Sequence, residues 1–341
     1  MYKSPVSRRR FALMAAASSV LTACGGGGSA GGTPSTTSGA SSPPPGSGTS
    51  PVTPPVVTPS PTPPAPEPAP TNPSTPENPP AQTKSAKRGI AYDVADAKDF
   101  EALSSGVSWW YDWSSKPASG TSAALRAQYG MDFIPTLWNG NFNDAQIEQL
   151  LLADPKIRFL LVLNEPNLTD QANLSPQAAA ALWPRFEAIA KKTGVKIVGP
   201  QITWGTMAGY QDPVAWLDAF YAAFRSANGV DPTIDYLGFH WYDYGLAGQL
   251  DRLTRYGKPF WVTEFANWHN GDGAAQIDTA AKQMAQMTDM VATCEARPDV
   301  FRYAWFTGRL GANDQDVHHT ALLAAAGELT AVGKHYMTLP F

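Results

Sequence analysis

Two glutamates stand where a carboxylate is hard to explain as packing. The apolar run Phe159-Leu160-Leu161-Val162-Leu163 stops at Asn164-Glu165-Pro166, and Phe260-Trp261-Val262-Thr263 stops at Glu264. Short apolar runs bounded by turn residues read as buried strands. An unpaired buried charge is costly, so each strand must deliver its glutamate either to a salt bridge or to a site that uses it. Two carboxylates meeting at one bond are the minimum machinery for glycoside hydrolysis. One protonates the leaving oxygen, and the other attacks the anomeric carbon or activates a water.

Elements that could bring the two together recur along the chain. Strand-like runs occupy 88–94, 107–113, 132–139, 159–166, 195–202, 236–243, 260–267 and 301–308, with helical stretches such as 177–192 and 274–294 between them. Alternation of strands and helices implies a parallel sheet. Eight units in about 250 residues predict a single (β/α)8 TIM barrel, whose strand ends converge on one catalytic face. A doubly wound open sheet is the alternative, but no Gly-x-Gly-x-x-Gly follows the first strand.

The strand ends are rich in rings and amides. They carry Trp110 and Trp113, Trp138 and Asn139, Asn164 and Glu165, Gln201 and Trp204, His240, Trp241 and Tyr242, then Glu264 and Trp305. Aromatic rings suit the apolar C–H faces of sugars, while amides and hydroxyls bond their OH groups. His240 and Tyr242 lie two apart on one strand and so share a face. Trp183, Trp216 and Trp261 read as core. Asp316, His318 and His319 fall in one loop and read as a turn rather than a metal site, so neither metal nor cofactor is expected.

The segments LNEPNLTDQANLSPQAAA, GFHWYDY and GKPFWVTEFANW resemble the barrel glycosidases of clan A, and more closely glycoside hydrolase family 128, the β-1,3-glucanases with a compact catalytic core. The likeness spans 87–341. It implies Glu165 as general acid/base, Glu264 as nucleophile and Asn164 on the sugar 2-hydroxyl. It also implies His240 and Tyr242 near the nucleophile, and Trp305 flooring the subsite beside the cut. The expected activity is endo-hydrolysis of β-1,3-glucan by retaining double displacement. Action on another β-glycan, or binding without catalysis, are the alternatives. Glu165 should be protonated at working pH, and Glu264 ionised with Tyr242 as a donor.

The remaining sequence is of another kind. Eighteen of the 31 prolines lie in 25–86, with three charged residues, while all 11 tryptophans follow it. That composition cannot offset its ordering entropy, so 25–86 is expected to be a disordered linker and 87–341 the folded domain. Residues 1–24 read as a lipoprotein signal: Arg8-Arg9-Arg10 opens a short apolar run that ends in Leu21-Thr22-Ala23-Cys24. Lipidated Cys24 would anchor an exported bacterial protein to a membrane, facing the periplasm or cell surface. The other cysteine, Cys294, reads as a buried small hydrophobe. Net charge is −4, with no basic stripe, which argues against nucleic acid. A monomer is expected. The Asn167 and Asn173 sequons read as chance.

Overall fold

The computed structural model describes residues 83–118, 121–271, 273–311 and 314–341. Cys24, the expected signal segment and the linker up to residue 82 lie outside the described residues. The folded part begins earlier than the composition suggested. Ser85 is buried, and Lys84 donates to the carbonyls of Ser104, Val107 and Tyr129 at 2.8–3.0 Å.

Strands and helices alternate as expected. In chain order they are β1 (Arg88–Ala91), α1 (Ala97–Leu103), β2 (Trp109–Tyr111), α2 (Ala123–Tyr129), β3 (Asp132–Phe133), β4 (Thr136–Leu137), α3 (Asp144–Ala153), β5 (Phe159–Val162) and α4 (Pro176–Thr193). They continue with β6 (Lys196–Ile202), α5 (Pro213–Asn228), β7 (Tyr236–Trp241), α6 (Leu246–Leu253), β8 (Phe260–Phe265), α7 (Ala280–Ala296), β9 (Val300–Trp305) and α8 (Ala331–Thr338). The longest helices start where local chemistry permits. Ser175 and Asp212 accept N-terminal amides of α4 and α5, each followed by proline at the first helical position.

The nine strands of the described residues form one parallel sheet, in the order β3-β2-β1-β9-β8-β7-β6-β5-β4. The sequence suggested eight strands. The third run is instead two short strands, because Ile134 and Pro135 interrupt it and proline has no N–H to give a ladder. Those pieces are the two edges of the sheet: β3 pairs with β2, and β4 with β5. The sheet therefore curls toward itself in a barrel-like α/β fold, and its order shows no switch point of the doubly wound kind.

Two layers of apolar side chains follow from strand alternation. The outer layer packs the sheet on the helices and includes Trp110, Trp183, Trp216, Trp241 and Trp305. The inner layer includes Trp109, Tyr111, Phe159, Leu161, Val198, Trp261, Ala304 and Phe306. Trp183, Trp216 and Trp261 are core as expected. Cys294 is fully buried in the outer layer, and burial pushes its thiol far up.

Candidate active site

Glu165 does not simply continue its strand. Leu163 and Glu165 have φ of 54° and 44°, a left-handed backbone that costs on the order of 1–3 kcal/mol per non-glycine residue. Backbone bonds to both neighbours hold the turn. Glu165 N–H donates to Gln201 O at 2.9 Å, and Asn164 N–H to Trp138 O at 2.9 Å. Asn167, fully buried, donates to Thr203 O at 2.6 Å and accepts the amides of Thr206 and Met207 through its own carbonyl. The loops after β5 and β6 are thereby tied together. Asn167 is thus closed to glycosylation, whereas Asn173 is exposed.

Glu264 reaches the same place through a different irregularity. The register between β7 and β8 shifts so that Phe239 pairs with Val262 but His240 with Glu264. Such a bulge re-aims a side chain. As a result both Thr263 and Glu264 make contacts inside the sheet, where plain alternation would send one of them to the helices.

The two glutamates are joined through His240. Its Nδ1 lies 3.0 Å from Glu165 Oε1 and 3.5 Å from Glu264 Oε2, and its Nε2 lies 2.9 Å from Thr263 Oγ1. Facing two carboxylates, Nδ1 carries the hydrogen, and the Thr263 hydroxyl donates to Nε2. One ligating atom each of Glu165, His240 and Glu264 lies within 4.8 Å of the others, and all three residues are buried. An imidazole with two carboxylates could accept a divalent transition ion. The donors arrayed on Glu264 instead suit a carboxylate working as an anion. Tyr111 OH donates to Oε1 at 2.9 Å, Trp113 Nε1–H to Oε1 at 2.8 Å, and Tyr242 OH to Oε2. Burial and the Glu264 charge push the Tyr111 phenol well above its usual range, so it remains a donor.

Asn164 is buried beside Glu165 and donates to Gln171 Oε1 at 3.3 Å. Its Oδ1 is buried and has no hydrogen-bond partner among the described residues. Trp138 and Asn139 are half-buried at the end of β4. Trp113 and Tyr242 are half-buried at the mouth. Trp204 is 38 % exposed, with its indole N–H 3.3 Å from Gln249 Oε1.

Five expected contacts are corrected. Trp305 does not floor the site. It is fully buried on the outer face, donates to Thr320 O at 2.8 Å and packs on Phe265 and Tyr336. Trp110 and Trp241 also point outward into the helix layer, since their neighbours Tyr111 and His240 take the inward direction. Gln201 is fully enclosed in the space left by Gly238, where a Cβ would come within 2.7 Å of its Cγ. His240 lies beside Glu264 as expected, but it is fully buried and bonds the carboxylates and Thr263 rather than facing an open cleft. Asp316 accepts the amides of Thr320 and Ala321, while His318 and His319 bond the carbonyls of Ile277 and Asp278, so that loop is a structural turn.

The sequence reading missed Tyr111, Thr263, Phe306 and Trp268. Phe306 stands inward where Trp305 was expected, 5.8 Å from Tyr242 and 5.9 Å from Trp113, ring to ring. Trp268 lies 4.3 Å from Tyr242. Tyr111 could have been found, since it shares the inward face of Trp109 two residues earlier. Thr263 could not, because its contact depends on the bulge.

Residues 89–336 match the glycosyl hydrolase catalytic core family. A family 128 (subgroup II) endo-β-1,3-glucanase from Pseudomonas viridiflava is 61 % identical, with a TM-score of 0.74 over 76 % of this chain and 100 % of that one. The chain belongs to glycoside hydrolase family 128. A subgroup I endo-β-1,3-glucanase of that family from Amycolatopsis mediterranei, crystallised with laminaritriose, is 27 % identical, with a TM-score of 0.57 over 74 % of this chain and 99 % of its own. Alkali-sensitive linkage protein 1 of Schizosaccharomyces pombe is 25 % identical over 264 residues, which are 74 % of this chain and 45 % of that protein, so the chain spans less than half of its length. As a member of the family the protein is a glycoside hydrolase.

Proposed function

We propose that this family 128 member is an endo-acting β-1,3-glucanase that works by retaining double displacement. Glu165 is the general acid/base and Glu264 the nucleophile. The observation that carries the reading is the set of donors gathered on one of the two carboxylates. Glu264 receives three side-chain donors from Tyr111, Trp113 and Tyr242, which fix the orientation of its oxygens for attack. Glu165 meets the His240 ring nitrogen Nδ1 through Oε1 at 3.0 Å. An approach within 4.8 Å favours retention, since an inverting pair needs about 6.5–9.5 Å to admit a water.

In the first step Glu264 attacks the anomeric carbon while Glu165 gives its proton to the departing oxygen. A glycosyl ester on Glu264 and a Glu165 carboxylate result. Glu165 then takes a proton from water as the water attacks, and Glu264 leaves. His240 Nδ1–H stabilises Glu165 in its anionic stage, and Asn164 Oδ1 is free to receive the 2-hydroxyl. The β-1,3-glucan substrate is inferred from the solved relatives, one of which holds laminaritriose.

The roles are tested by azide rescue. Glu165→Ala should keep the first step on a dinitrophenyl β-glucoside oligomer and yield a β-glycosyl azide. Glu264→Ala should be inactive on all substrates and yield the α-azide on rescue. Exchanged stereochemistry would reverse the roles, and α-configured products from the wild type would refute retention. We further read β3 and β4 as one interrupted strand of a closed (β/α)8 barrel. The Leu21-to-Cys24 sequence supports an exported, lipid-anchored protein, so Cys24→Ser should shift it from the membrane to the soluble fraction.

A further inference from the structure

Trp113 is in an awkward position. Its indole N–H donates to Glu264 Oε1 at 2.8 Å, yet its backbone has φ of 62°, a region that bulky side chains rarely adopt. Something must hold it there. Asp112 Oδ1 accepts the Ser114 amide at 3.1 Å, closing a turn across Trp113. Both ends of that turn are fixed, because Tyr111 O accepts Tyr92 N–H at 3.0 Å and Ser114 O accepts Thr136 N–H at 2.9 Å.

The Asp112 carboxyl is placed at a cost to stability. Burial, then the charge of Asp93 at the end of β1, push it up to about 7 against the backbone amides of Ser114, of Asp112 itself and of Ala118. Asp93 is itself pushed up by burial. Among the described residues Asp93 is the charged group acting on Asp112, and Glu264 is reached only through the indole of Trp113. A group whose folded pKa is raised takes up protons on folding, so its contribution to stability falls as pH rises from about 4 to 7. At neutral pH the group is therefore about half ionised, and its ionised form weakens the fold.

We propose that Asp112 is a positioning residue: its carboxyl holds Trp113 in the left-handed conformation and thereby aims the indole N–H at the Glu264 nucleophile. The proposal rests on Glu264 being the nucleophile, and it assigns Asp112 no contact with substrate.

Two readouts test it on the full chain. The first is the indole 15N–1H resonance of Trp113, assigned by its loss in Trp113→Phe. It should move in Asp112→Ala. In the wild type it should titrate near pH 7, because a carboxylate accepts the Ser114 amide more strongly than a carboxylic acid does. In Asp112→Asn, which keeps the acceptor but cannot ionise, it should stay flat. The second readout is turnover on laminarin. Asp112→Ala should lower kcat about tenfold, with KM within about twofold, since a misdirected group near the reacting atoms costs up to roughly a hundredfold. Asp112→Asn should restore most of the loss, and Asp112→Ala should cost nothing further in a Trp113→Phe background. Asp112→Asn should also raise Tm more at about pH 8 than at about pH 5. An unmoved Trp113 resonance in Asp112→Ala, or a loss that adds to that of Trp113→Phe, overturns the proposal. Should Asp112→Ala fail to fold, a Trp113 resonance that still titrates near pH 7 in Asp112→Asn overturns it. If the wild type itself does not cut laminarin, the glucanase reading fails, while the resonance still decides the coupling of Asp112 to Trp113.

Discussion

The two ends of the sheet interior use similar residues to opposite ends. At the start of the strands, Trp109, Phe159, Trp261 and Phe301 surround the Arg302 guanidinium, whose Cζ lies 5.1–5.9 Å from the four ring centres. Trp109 packs there because Gly89 has no Cβ, which would lie 2.3 Å from the indole. At the other end, Tyr111, Trp113 and Tyr242 surround the Glu264 carboxylate, with Phe306 packed on the rings of Trp113 and Tyr242. Rings around a cation are attractive through their faces. Around an anion they need polar edges, and the three donors to Glu264 are two phenols and an indole. The floor has a register shift between Phe260 and Trp261 but none of its four ring residues at positive φ, whereas the mouth carries Trp113, Leu163 and Glu165 at positive φ and two carboxylates within reach of one imidazole. The floor stabilises and the mouth stores strain, which is the division expected when activity is built at some expense to folding.

Breaking the mouth should therefore harm rate and spare the fold. Glu264→Gln should lower kcat on laminarin by roughly 10⁴-fold or more, while Tm stays level or rises because a buried charge is removed. A drop of several degrees would put Glu264 among the stabilising groups and undo the contrast. Breaking the floor or the outer layer should do the reverse. Trp261→Ala and Trp305→Ala should each lose about 3–5 kcal/mol in denaturant unfolding. The surviving folded protein should keep its KM, and a large rise for Trp305→Ala would return that residue to the substrate cleft. Tyr242→Phe sharpens the comparison within the mouth. It removes one donor to a charge, worth about 1.5–3 kcal/mol, so kcat should fall roughly ten- to a hundredfold with little change in Tm. Least of all, Gln201→Met should stabilise by about 1 kcal/mol, because both amide atoms are buried without partners among the described residues. A destabilised Gln201→Met would mean that the amide is satisfied in solution.

Legibility in the sequence follows the same division. The alternating pattern revealed the parallel sheet and placed Trp183, Trp216 and Trp261 in the core, because periodicity is what burial imposes. The motif around Asn164-Glu165 and the run ending in Glu264 pointed to the carboxylate pair. What the sequence hid was orientation. Period-two logic, applied strictly, would have sent Trp305 outward and Phe306 inward, yet the same logic fails at Thr263-Glu264, where the register shifts. Bulges and left-handed residues break the rule that makes strands readable, and at Trp113, Leu163, Glu165 and Thr263-Glu264 they sit where the chemistry is. The split third strand was missed for a plainer reason: Pro135 was read as part of a run that it interrupts.

Where the chain enters the domain, it is anchored laterally before it becomes a strand. The Lys84 ammonium is gripped by carbonyls at the ends of α1 and α2, and the Lys87 ammonium by Cys294 O, Glu295 O and Arg297 O at the end of α7, at 3.0–3.2 Å. In mechanical terms this is strain relief. A pull applied at residue 83 is shared among three helices before it reaches β1, so tugging and drag on the chain load the periphery while the geometry between Glu165 and Glu264 stays at rest.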